Sequence, residues 1–160
     1  VELLYQPFTA FSPSERQGAC WTQPIFSMQQ GHFSCKAGSL YIMLAQDRFP
    51  ELPRLSQSQI EALELVHQIS IRPDRHFSMM FQPGDLQLLN NHVTSHARTE
   101  FEDHPEPERK RHLLRLWLSV RNSRPLSPLM ASAWGDTRAG ALRGGYPADT
   151  GKRVYESLAE

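Results

Sequence analysis

The amino-acid sequence predicts a mainly β domain with helical additions, an α+β arrangement, on three observations. From Asp74 onward, short apolar runs alternate with turn residues: HFSMMF at 76–81, LQLLNNHVTSHA at 86–97 and RHLLRLWLSV at 111–120. Such runs, rich in residues that suit a pleated surface and bounded by Pro, Gly, Asn and Asp, read as successive strands. Upstream, CWTQPIFSMQQGHFSC at 20–35 reads as a hairpin. Between these two regions lie two segments of helical character.

In chain order, the hairpin turns at Gln29-Gln30-Gly31, where Gly31 can take a positive φ. GSLYIMLAQDR at 38–48 is expected to be helical and to end before Pro50, followed by a Pro-punctuated link from Phe49 to Leu55. The clearest helix is 57–71. Ser56 can cap it, Gln59 occupies the third position of a capping box, and Ile60, Leu63 and Val66 form an apolar stripe of helical period. Pro73 stops it, and His67 is expected to cover the edge of the core. Pro83-Gly84 fits the two central positions of a type II turn. Beyond Ser123 the chain is rich in Pro, Ser, Gly and Ala. That stretch, 124–160, is expected to be a surface tail of the same domain, without a core element, and with a short helix near 150–159.

At 160 residues the chain has the length of one ordinary domain. Its 17 basic and 17 acidic side chains balance, so no global field would draw it to nucleic acid or to an anionic membrane. No apolar run reaches the roughly 18 residues of a membrane helix. Cys20 and Cys35 lack a CxxC partner and read as reduced thiols, which with the missing leader pattern suggests a cytoplasmic protein. The chain opens at Val1 without a methionine, which suggests a cut, either an expression boundary or a fragment of a longer protein.

Two patterns carry chemistry. In 111–119, taken as a strand, Arg111, Leu113, Arg115 and Trp117 share one face, while His112, Leu114, Leu116 and Leu118 share the other. The leucine face is expected to enter a core. Two arginines beside Leu113 and Trp117 need an anion, water or the acids of loop 99–110, and an arginine fork matches a carboxylate. The second pattern is NNHVTSHARTEFED at 90–103. On a strand, His92 and His96 stand about 13 Å apart at ~3.3 Å per residue, too far to share a metal. A helical zinc-peptidase pair would need Glu directly after the first histidine, where this chain has Val93.

The stretch PGDLQLLNNHVTSHARTEFED through PERKRHLLRLWLS resembles the C-terminal half of the taurine/2,4-dichlorophenoxyacetate dioxygenase family, the Fe(II)- and 2-oxoglutarate-dependent oxygenases that include gamma-butyrobetaine hydroxylase. The similarity is sharpest over 83–119 and extends to WGDTRAGALRGG. The resemblance implies a double-stranded β-helix (jelly-roll) oxygenase fold, with 1–123 as its C-terminal portion and 124–160 as its tail. It implies His96 as the distal iron ligand and His92 as a bystander. It assigns Arg111 to the distal carboxylate of 2-oxoglutarate, Arg115 to the same cosubstrate or an anionic substrate group, and leaves Trp117 and Arg98 as candidates to face substrate. The implied partners are a small-molecule substrate and O2, with no nucleic acid and no membrane. The family's His-x-Asp or His-x-Glu pair is absent before His96, and the later His104-Pro105-Glu106 sits in a Pro-rich loop. The chain is therefore expected to lack the N-terminal half and to be inactive alone. The other readings are a catalytically inactive β-barrel that binds a small carboxylate or a protein partner and, more weakly, a zinc hydrolase built on His92 and His96.

Overall fold

The computed structural model of the chain describes residues 1–11 and 20–143. After a 3-10 turn at Glu2–Tyr5, strand β1 (Pro7–Ala10) runs antiparallel to β2 (Trp21–Pro24), with Phe8 opposite Gln23 and Ala10 opposite Trp21. Both strands carry proline at one end, Pro7 facing Pro24, where a missing donor costs a two-stranded ladder least. A second antiparallel pair, β3 (Phe26–Gln29) with β4 (His32–Cys35), is the expected hairpin. Its turn places Gln30 and Gly31 at φ 49° and 78°, the two successive positive angles of a type I′ turn. Trp21–Pro24 is not part of that hairpin, as the sequence suggested, but the partner of β1. Fully buried Ile25 marks the break between the two sheets.

Helix α1 (Ser39–Arg48) buries Ile42, Ala45 and Gln46. The Gln46 amide donates to the Pro53 carbonyl at 3.2 Å and accepts from the Leu55 amide at 3.3 Å, which ties down the Pro-punctuated link. Helix α2 (Gln57–Ser70) begins with the expected capping box: Ser56 Oγ accepts from the Gln59 amide, and Gln59 Oε1 accepts from the Ser56 amide. Its apolar stripe reaches the core through Leu63, with Ala62 and Val66 packed at the margin. His67 is exposed, beside Val66 and the cavity rim that Ile25 and Leu63 also line.

The core gathers Leu4, Phe8, Ala10, Trp21, Ile25, Ile42, Leu63 and Ala133. Ala133 belongs to the stretch expected to be a coreless tail, and that expectation is corrected. Leu126 and Met130 are 2% and 1% exposed, and α3 (Ala131–Trp134) packs on β2. The Ser132 hydroxyl accepts from the Thr22 amide at 2.8 Å and donates to the Thr22 carbonyl at 2.7 Å, fastening α3 to the strand. Neighbouring Pro, Ser and Ala dilute the apolar signal of this segment, and its burial comes from docking, not from a periodic stripe of its own. The helix expected near 150–159 lies outside the described residues.

The strands expected at 76–81, 86–97 and 111–120 are also corrected: these segments carry no strand assignment, and among the described residues they pair with no other strand. Strand preference is expressed only where a ladder partner and a covering layer exist, and these runs have neither among the described residues. The leucine face of 111–119, expected in a core, is open, with Leu114 and Leu116 at 88% and 84% exposure. Two small antiparallel sheets and a few helices make a mixed α/β arrangement in which a jelly roll is not formed by the described residues. The turn at Pro83-Gly84 stands as expected: Gly84 has φ 94° and the Asp85 amide donates to the Gln82 carbonyl at 3.0 Å. No helix among the described residues is long and apolar enough to cross a membrane.

Candidate functional site

Residues 90–111 hold most of the candidate chemistry. The Asn90 carbonyl accepts from the amides of Val93 and Thr94, both at 3.0 Å, while Asn90 Oδ1 accepts from the His92 amide at 3.1 Å. These bonds bend 90–94 into a turn, so the two histidines do not lie along one straight strand as their alternation suggested. Their environments differ accordingly. The His92 carbonyl accepts from the Cys35 amide at 2.7 Å, and the half-buried His92 ring lies 5.9 Å from the Trp134 ring. His96 is exposed. Burial is the first cause that holds the His92 pKa down to about 4, followed by the positive charges of Lys36, Arg124 and Arg143. His92 is therefore neutral at neutral pH, with its ring set against Trp134.

Beyond His96 the chain turns through the acidic loop and returns at Arg111. The Asp103 carboxylate closes that loop, accepting from the Arg111 amide at 2.9 Å and the His104 amide at 3.1 Å. Phe101 then collects two of the predicted cations. The Arg98 guanidinium lies 4.9 Å and the Arg111 guanidinium 5.3 Å from the centre of its ring. An aromatic face attracts a guanidinium without neutralising it, so both side chains keep their charge for an anion. Among the described residues neither Arg98, Arg111 nor Arg115 forms an ion pair, although loop 99–110 was a possible source of acids. Glu106 instead faces Arg109 at 3.7 Å.

Of the predicted residues, the structure thus brings together Arg98 and Arg111. Arg115 is exposed, and the Trp117 ring lies tilted against Trp134, ring centres 6.4 Å apart. Phe101 was missed by sequence reasoning, although an aromatic residue three positions after Arg98 in RTEF was a visible signal. Trp134 was missed because it lies in the segment dismissed as a tail.

An open iron site needs three protein ligands on one face of the metal. Among the described residues no three His, Cys, Asp or Glu side chains gather closely enough to hold one.

Comparison with known proteins gives two findings. The family model for the taurine catabolism dioxygenase TauD, TfdA family matches residues 4–117. FR-33289 synthase of Streptomyces rubellomurinus (strain ATCC 31215) is 34% identical over 116 residues, which cover 69% of this chain and 33% of that protein. The chain spans about a third of the length of this curated relative.

Proposed function

Because the chain belongs to the taurine catabolism dioxygenase TauD, TfdA family, we propose that it is part of an Fe(II)- and 2-oxoglutarate-dependent oxygenase acting on a small organic substrate. The reaction class is oxidation of a C–H bond, most simply hydroxylation, coupled to conversion of 2-oxoglutarate and O2 to succinate and CO2. The observation that carries the reading is the match itself, which spans His96, Arg98, Arg111, Arg115 and Trp117. His96 is assigned one position on the iron, the remaining ligands coming from outside the described residues. Arg111 is assigned the distal carboxylate of 2-oxoglutarate, a role that suits an unpaired guanidinium held by Phe101 and by the Asp103 bond to its backbone. Arg115 supplies a second cation for the same carboxylate or for an anionic substrate. Arg98 and Trp117 are candidates for the substrate side.

The test is His96→Ala in the intact protein, followed by iron-dependent consumption of 2-oxoglutarate. Loss of turnover with 2-oxoglutarate binding retained is the expected result; undiminished turnover would remove the ligand assignment. The absence of a complete ligand set among the described residues favours one other reading, a carboxylate-binding domain that needs no iron. Binding of 2-oxoglutarate with the same affinity with and without Fe(II), and no turnover in the intact protein, would select it.

A further inference from the structure

A second group of cations lies around Trp134, apart from the Arg98 and Arg111 pair. Lys36, just after β4, sets its Nζ 4.4 Å from the centre of one Trp134 ring. His92 and Trp117 pack against the same indole at 5.9 and 6.4 Å. Arg143 joins the group from the far end of the described chain, donating to the Arg124 carbonyl at 2.7 Å and to Ser123 Oγ at 3.4 Å. Arg124 in turn donates to the Phe33 carbonyl on β4. Lys36, His92, Arg124 and Arg143 therefore converge from four separate segments.

Among the described residues no carboxylate acts on Lys36 or His92, and burial lowers the Lys36 pKa to about 8. Asp136, which does act on Arg143, already binds Arg138 with both carboxylate oxygens. Two polar atoms at this place, His92 Nδ1 and Arg143 Nε, are buried and have no hydrogen-bond partner among the described residues. A half-buried cation costs stability unless a partner offsets its desolvation, and a buried donor without an acceptor costs more. A stack on tryptophan relieves this only in part.

From this convergence we infer that Lys36, His92 and Arg143 hold a small oxyanion, a carboxylate or a phosphate, against the Trp117 and Trp134 rings. Lys36 supplies the mobile charge. The neutral His92 ring offers Nδ1–H, and Arg143 offers Nε–H while its terminal nitrogen stays on the backbone. An oxyanion has enough lone pairs to accept from all three. The group shares Trp117 with the candidates for the substrate side, but none of its cations is one assigned to 2-oxoglutarate.

The experiment is titration of the intact protein with inorganic phosphate and, separately, succinate at low salt, followed by indole fluorescence and calorimetry. A saturable response is expected, weakened about tenfold or more in Lys36→Met, the loss anticipated for one charge-assisted hydrogen bond. Lys36→Arg should restore most of it, and circular dichroism of both variants checks that the fold is kept. Stronger binding of phosphate would identify a phosphoryl ligand, and stronger binding of succinate a carboxylate. Arg111→Ala should leave phosphate binding unchanged. No saturable response to either anion, an equal response in folded Lys36→Met, or loss of phosphate binding in Arg111→Ala would overturn the inference.

Discussion

Arg111 shows how much one side chain depends on its neighbours. Its backbone is fixed by Asp103 and its guanidinium rests on Phe101, so the cation is positioned without being neutralised. Removing it as Arg111→Ala should raise the KM for 2-oxoglutarate about tenfold to a hundredfold with a smaller change in kcat, because a charge-assisted pair is worth roughly 1.5–3 kcal/mol. Initial rates against 2-oxoglutarate concentration measure this, and an unchanged KM would move the role to Arg115. His92 sets a pH dependence of a different kind. Its folded pKa, about 4, lies below the ordinary 6.5, so between these values the unfolded chain binds more protons than the folded one. Its contribution is complete above pH 6.5 and is lost as the pH falls towards 4. Asp136, lowered to about 2 from 3.8, loses its contribution only below that window. Thermal melts of His92→Gln should therefore show a shallower decline between pH 6.5 and 4 than the parent, and equal slopes would refute the assignment. Val93 and the motif around His96 set the two histidines apart in the sequence, and their environments do differ, His92 half-buried and His96 exposed. The cations that depress His92 were not legible there, since Lys36 and Arg143 are remote in sequence.

At the level of elements, legibility followed the range of the interactions involved. Helix α2 and the β3–β4 hairpin are specified by residues within a few positions of one another: Ser56 with Gln59, and Gln30 with Gly31. Ser56→Ala should lower stability by about 1 kcal/mol, the usual cost of removing a helix cap, and Ser56→Asp should recover most of it. Denaturant melts decide, and a change below a few tenths of a kcal/mol would show that the capping box contributes little here. The pairing of β1 with β2 escaped because ten positions separate the two strands in sequence. The runs at 76–81 and 111–120 show the converse. Their residues favour strands, but a strand needs a neighbour, and nothing in Leu113 to Leu118 says which segment that would be.

Taken whole, the described residues close their core between an early strand and a late segment. β1 with the turn before it and the segment 126–134 flank β2, and the core between them also draws on α1 and α2. Met130 is 1% exposed and its sulfur accepts from Ser27 Oγ at 3.5 Å, so it links the late segment to β3. Met130→Ala should cost about 2–5 kcal/mol, in the range for a large-to-small change at a buried site. A loss below about 1 kcal/mol in denaturant unfolding would mean that this segment docks loosely. The sequence concealed this closure because Leu126, Met130 and Ala133 lie among residues typical of linkers.

The Ser132 hydroxyl has one more consequence. By engaging both the amide and the carbonyl of Thr22, it occupies the outward rung of β2 that a foreign strand would have to read. A two-stranded sheet normally offers such an edge as a template for fibre growth. Here a single side chain fills that rung, so a strand could add to β2 at Thr22 only by displacing Ser132.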